Sequence, residues 1–226
     1  MKVSHVSEAD HTIVTAAVAA AEAHTSGEIV TIVAAKSNDY DDVALVWASI
    51  IAFLAMSVIA LFPEFYQGLW YRISGGWGHE LTANQWLGTV IAIGVVKWIG
   101  TWLLLLWRPL RMALTPRAIK AQRVRARAID LFKVGTEAKT AGRTGVLLYL
   151  SLKEHRADIV ADEAIAAKVS ADVWGDAMAA LVARVRTGQP GEGMAEAVRQ
   201  MGVVLAAHFP RGSENPNELP DRLIEL

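Results

Sequence analysis

Residues 43–62 read VALVWASIIAFLAMSVIALF, and residues 86–107 read WLGTVIAIGVVKWIGTWLLLLW. A helix needs about 20 mostly apolar residues to cross the hydrocarbon core of a bilayer at the α-helical rise, and both stretches reach that length. The predicted organisation follows from them: a transmembrane hairpin over 43–107, with spans at 43–62 and 86–107, inserted into an otherwise ordinary water-soluble sequence. Residues 1–42 and 108–226 are then the two soluble pieces.

The flanks of the spans fix their expected orientation. Ala44, Ala48 and Ala52 recur at four-residue spacing, giving the first span a flat stripe on which a second helix can pack closely. Pro63 is read as its end. The connector carries one base, Arg72, against Glu64 and Glu80, together with Phe65, Tyr66, Trp70, Tyr71 and Trp77, residues suited to the headgroup level. After the second span come Arg108, Arg111, Arg117, Lys120, Arg123, Arg125 and Arg127. By the positive-inside rule the soluble pieces are expected on the cytoplasmic side of a bacterial inner membrane. The same run of cations is a candidate for contact with anionic lipid. Lys97 stands inside the second span, where no carboxylate can pair with it. Flanked by Gly94, Gly100 and Thr101, it is expected to point into the hairpin seam or a subunit contact. A lipid headgroup contact and a place in an oligomeric channel or transporter are the functional alternatives.

Composition excludes several classes. The chain of 226 residues has a formal net charge of −1 and no cysteine. Near-neutral charge argues against nucleic acid as a partner. The missing thiols rule out disulfides, thiolate metal sites and a cysteine nucleophile. The first residues, MKVSHVSE, lack the basic start and apolar run of a secretory signal, so membrane insertion is expected through the internal segments.

The soluble pieces read as mixed α/β. Ser7 caps a helix to about His24, with Asp10 three residues on and Ile13, Val14, Ala17, Val18 and Ala21 on one face. After Thr25-Ser26-Gly27, the run Ile29-Val30-Thr31-Ile32-Val33 is a strand buried on both sides. Thr115-Pro116 opens a long helix to about Lys139. Residues 146–151 and 157–161 form two strands around the polar Lys153-Glu154-His155-Arg156, a hairpin pattern. Ser170 caps a helix through Thr187, residues 188–193 are a loop, and a last helix runs to about His208, where Pro210 stops it. The tail closes as a short amphipathic segment.

Catalytic signatures are sparse. GxSxG, GxxxxGK[ST] and HExxH are all absent, and the six histidines have no metal-ligand spacing. Carboxylates remain. Asp158, Asp162 and Glu163 lie near a strand end, where α/β folds place ligands, and Asp39, Asp41 and Asp42 form an acidic run before the first span. Asp158, Asp162 and Glu163 are the catalytic candidates, and Asp39, Asp41, Asp42 and Asp162 the candidates for holding a cation; the favoured reading of both is a wet surface, since no glycine-punctuated calcium loop accompanies the acids.

Taken together, residues 21–30 (AEAHTSGEIV), 143–152 (RTGVLLYLSL), the strand from His155-Arg156 to Asp162, residues 207–210 (AHFP) and the closing NELPDRLIEL of 217–226 resemble the TPM domain family. The closer resemblance is to its bacterial membrane-protein branch, in which a two-helix transmembrane hairpin interrupts the domain. That resemblance implies an α/β/α sandwich around a small mixed sheet built from 1–42 and 108–226. Relatives include thylakoid lumen proteins that assist photosystem II repair and have been proposed as calcium-linked acid phosphatases. Members with the acidic site carry Asp-Asn-Gly before the central strand and Ile-Glu-Val-Gly-Tyr-Gly in the next. This chain has Arg143-Thr144-Gly145 and Ile159-Val160-Ala161-Asp162-Glu163-Ala164, with Val160 at the glutamate position. The expectation is a membrane-anchored domain that binds, assembles or maintains other membrane components. Its rival is a Ca2+-linked phosphomonoesterase using Asp158, Asp162 or Glu163.

Overall fold

The structure, a computed structural model, describes residues 6–73, 81–135, 144–212 and 221–226. Trp77, His79, Glu80, the Lys139 end of the long helix, Arg143 and residues 217–220 of the tail lie outside them. Two compact units divide the chain: Met1–Asn38 with Arg117–Leu226, and the inserted Asp39–Pro116.

The first unit is organised by a four-stranded mixed sheet of order β3-β2-β1-β4. Its strands are β1 (Glu28–Ala34), β2 (Gly145–Ser151), β3 (Arg156–Ala161) and β4 (Ile224–Glu225). β1 lies parallel to β2 and to β4, while β2 and β3 form the expected antiparallel hairpin. Every residue of β1 and β2 is buried, which a two-sided strand requires. Alternation then assigns the faces. Ile29 and Val33 of β1 with Val146, Leu148 and Leu150 of β2 join one apolar cluster. Val30, Ile32 and Ala34 with Leu147 and Tyr149 join another. The first cluster is closed by α1 (Glu8–Glu22), α8 (Gly175–Arg186) and α9 (Pro190–His208), the second by α6 (Arg117–Gly135) through Val124, Ala128 and Phe132. Ser7 and Asp10 complete the capping box that starts α1.

The second unit contains α2 (Asp41–Leu61), α3 (Pro63–Ile73), α4 (Ala83–Leu105) and α5 (Arg108–Leu114). Helices α2 and α4 pack on each other, and both are long and apolar enough to cross a membrane. The small-residue stripe is their seam: Ala44, Ala48 and Ala52 are buried, and Gly94 of α4 lies so close to Met56 that an added Cβ would sit 2.5 Å from its Sδ. Trp98 Nε1 donates to Ser49 Oγ across the pair at 3.2 Å. The outward surfaces stay apolar, with Phe53 67% and Val96 68% exposed. Such surface on a water-soluble helix pair would be unusual; lipid suits it.

Several elements depart from the sequence reading. Pro63 does not leave a loop behind it but takes the first position of α3, whose missing amide donor costs nothing there. Thr115 closes α5, its hydroxyl donating to the Arg111 carbonyl at 2.8 Å, so the helix after Pro116 starts at Arg117. The helix expected after Ser170 is instead a 3-10 turn, Ala171–Trp174, followed by α8, and Ser170 makes no side-chain cap. A short α7 (Glu163–Ala166) follows β3 directly. Residues 190–193, read as loop, are the first turn of α9. The tail contributes β4.

Candidate functional site

Both ends of the sheet gather polar side chains. At the end where β3 finishes, Asp162 is 5% exposed, and its Oδ2 accepts the Gly145 amide at 2.9 Å while its own amide donates to the Gly145 carbonyl at 2.9 Å. The carboxylate thus clips β3 to β2. Glu163 is exposed on α7. Asp158, four residues back along β3, is roughly 13 Å from Asp162 at the strand rise, and Arg125 of α6 holds its Oδ1 at 2.5 Å. The three carboxylates of the expected site therefore do not converge. Asp39, Asp41 and Asp42 belong to the hairpin unit. Asp41 and Asp42 occupy the first turn of α2, where negative charge meets the positive helix end, and Asp41 pairs with the buried Arg111 of α5. That pair joins the beginning of the hairpin to its end.

Calcium takes six to eight oxygen ligands, several of them carboxylate. No group of three or more His, Asp or Glu is placed to hold a metal among the described residues. Asp158 and Asp41 already face guanidinium groups, and one oxygen of Asp162 is committed to a backbone amide. Among the described residues, these carboxylates do not form a calcium donor set.

A different carboxylate group assembles where β1 starts. Glu22, at the end of α1, is 9% exposed and its Oε1 accepts the Ile29 amide at 2.7 Å. Burial pushes its carboxyl up to about 8; the backbone hydrogen bond opposes this, and Glu28 and Asp221 add to it, Asp221 also as a hydrogen-bond partner. Glu22 therefore keeps its proton at neutral pH and shares it with Asp221. Glu28 is 4% exposed and opposite Gly145 in register. The neighbouring backbone is tightly tied: Thr25 Oγ1 donates to the Phe209 carbonyl at 2.6 Å and accepts the Gly27 amide at 3.0 Å, and Ser26 donates to Phe209 at 3.0 Å. Sequence reasoning passed over Glu22 because its partner stands 199 positions away; the one local signal was a carboxylate in an otherwise alanine-rich helix end.

The opposite end of β1 and β2 is also polar. Tyr149 is fully buried, and its hydroxyl lies 3.0 Å from Ser37 Oγ. Burial raises it above the ordinary tyrosine value, with the Ser37 bond opposing. Glu154, buried in the β2–β3 turn, accepts the Ser37 amide at 3.0 Å and the Ser151 hydroxyl. His155 adopts a left-handed φ of 50° in the same turn and is exposed. A shallow groove of about 800 Å3 runs between α1 and β4, lined by His11, Thr12, Thr15, Arg222 and Glu225, with His11 Nε2 3.5 Å from Glu225 Oε2.

Lys97 is exposed on α4 and does not enter the hairpin seam, where Gly94 sits instead. Three residues separate the two on a helix of 3.6 residues per turn, but Trp98 and Gly94 are the ones turned to α2, which leaves Lys97 on the outer flank.

No protein-family model matches the chain, and no curated protein matches it. Among solved structures, the chain is similar to the BA42 protein from the psychrophilic bacterium Bizionia argentinensis, determined by NMR. The TM-score is 0.55 at 17% sequence identity, with 98% of this chain and 95% of that chain covered. At this identity the likeness concerns the fold.

Proposed function

We propose that the chain is a membrane-anchored, TPM-like α/β/α domain, held by a two-span hairpin in a bacterial inner membrane and facing the cytoplasm. Its role in this reading is to bind, assemble or maintain other membrane components. One observation carries the reading: the carboxylates that cation-assisted chemistry would draw on are engaged in holding the fold, Asp162 on the Gly145 amide, Asp158 on Arg125 and Asp41 on Arg111. A domain whose acidic groups are used structurally, beside helices of membrane length, is better suited to recognition than to turnover. Crosslinking in intact membranes followed by purification in detergent should return the same protein or lipid partner repeatedly. Repeated recovery of the chain alone would count against this reading.

A catalytic alternative is favoured by the Glu22–Asp221 pair, since a buried carboxyl held protonated up to about pH 8 beside a second carboxyl is an arrangement general-acid chemistry uses. Hydrolysis of a generic phosphate monoester that falls at least a hundredfold in Glu22→Gln would establish it, and a rate no different from the Glu22→Gln background would remove it.

A further inference from the structure

The sequence run of cations after the second span looks diffuse, but the fold selects three of its neighbourhood. Arg125 of α6 donates to both Asp158 Oδ1 at 2.5 Å and the Ile159 carbonyl at 2.7 Å, which fixes the register of α6 on β3. Five residues earlier on α6, about 7.5 Å along the helix, stands Lys120, and Arg117 begins the helix. Two residues earlier on β3, roughly 6.6 Å along the strand, stands Arg156, opposite Ser151 at the end of β2. Both steps lead to the end of the sheet where β1 and β2 finish, the edge at which open α/β sheets receive ligands.

Three features mark these cations as a set awaiting an anion. Among the described residues, the side chains of Arg117, Lys120 and Arg156 make no hydrogen bond or ion pair, while those of Arg125 and Arg111 do. Lys120 is held below the ordinary lysine value by burial first, then by repulsion from Arg156 and Arg117, with the nearby Glu154 opposing. Glu154 itself is turned inward onto the Ser37 amide and the Ser151 hydroxyl. Finally, the first turn of α6 contains no acidic residue, so cations occupy the positive end of a 19-residue helix, where an anion would be stabilised.

We propose that Arg117, Lys120 and Arg156 form a binding site for the phosphate group of an anionic phospholipid headgroup. Guanidinium groups grip phosphate oxygens in pairs and an ammonium adds a point charge, so three cations from two elements suit one phosphate. The chain itself favours a lipid source: Arg117 directly follows the unit that carries the two membrane-length helices. This inference rests on the membrane-anchored reading and gives it a named ligand class.

The test uses the full chain in a neutral detergent, titrated with short-chain phosphatidylglycerol, short-chain phosphatidylcholine and inorganic phosphate. Binding is followed by calorimetry and by hydrogen exchange of residues 117–124 and 153–160. Phosphatidylglycerol should bind at least tenfold tighter than phosphatidylcholine and protect both stretches. Lys120→Gln combined with Arg156→Gln should weaken it tenfold or more, Lys120→Arg with Arg156→Lys should retain binding, and Lys133→Gln, at the far end of α6, should stay within twofold of the unaltered chain. Equal binding of the two lipids, or equal loss in Lys133→Gln, would overturn the site. Inorganic phosphate binding as tightly as phosphatidylglycerol would overturn the lipid source. Either failure would leave the recovery of a crosslinked partner, and with it the broader binding role, unaffected.

Discussion

Glu22 illustrates how one buried acid changes the pH response of the whole fold. Its carboxyl titrates near 8 in the folded chain, against an ordinary value of 4.5. Between those values the folded state holds a proton that the unfolded state has released, so stability falls as pH rises from about 4.5 to 8 and levels off above. Glu22→Gln keeps an oxygen for the Ile29 amide and donates an N–H toward Asp221 without the titration. Thermal unfolding in detergent should show the variant equal to the unaltered chain near pH 5 and more stable by roughly 1–3 kcal/mol at pH 8.5, a few degrees in Tm. A variant that is less stable at pH 8.5 would contradict the buried, protonated carboxyl. Asp162 is another buried acid spent on structure, its Oδ2 holding the Gly145 amide. Asp162→Ala should cost about 1–2 kcal/mol by orphaning the Gly145 amide, whereas Asp162→Asn should cost less than half of that, because its carbonyl can still accept. Equal losses in the two would argue against the clip. Residue-scale roles of this kind were the least legible in the sequence. Asp162 was visible as an acid near a strand end, but not that its oxygen faces back to β2, and Glu22 gained meaning only when residues from both ends of the chain met.

At the scale of elements, periodicity served well wherever a segment was long. The alternation of β1 and β2 between two buried faces, the capped α1 and both membrane-length helices follow from side-chain spacing alone. Short elements escaped because two or three residues carry no period. β4 has two residues and owes its place to pairing with Ile32 and Val33, and α3 was hidden by a proline that both ends one helix and starts the next. Close helix packing was also only partly visible. Gly202 of α9 meets α1 so tightly that an added Cβ would lie 2.6 Å from Ala21 Cβ and 3.2 Å from its Cα. In a free helix, Gly→Ala gains about 0.5–1 kcal/mol. Here backbone must move, and overpacking typically costs about 1–3 kcal/mol, so Gly202→Ala should destabilise. Ala21→Gly removes the nearer of the two clashes and should recover much of that loss, giving a coupling of about 1 kcal/mol or more in a double-mutant cycle. Additive effects would mean that α1 and α9 are not in contact at this point.

For the molecule as a whole, the arithmetic of crossings and the distribution of charge bear on the same question. If α2 and α4 both cross a bilayer, the chain returns to the side from which it started and Met1–Asn38 and Arg117–Leu226 share a compartment, as a sheet that pairs β1 with β2 and β4 demands. A single crossing, or three, would leave β1 separated by a bilayer from the strands it pairs with. The sheet therefore supports the even count independently of hydropathy. Sidedness rests on charge: Arg108, Arg111, Arg117, Lys120, Arg123, Arg125 and Arg127 follow the second span, while Arg72 is the lone base of the connector. Moving this cluster across the membrane is the unfavourable alternative under the positive-inside rule. A reporter fused after Leu226 should accordingly read as cytoplasmic, and one inserted between Ile73 and Leu81 should read as external. Matching signals from the two sites would mean that α2 and α4 do not cross, and an exchange of the two signals would mean that the soluble unit folds outside. In that second case the cations of α6 would face a different lipid leaflet, and the phosphatidylglycerol titration would still report on the site itself, since binding in detergent does not depend on sidedness.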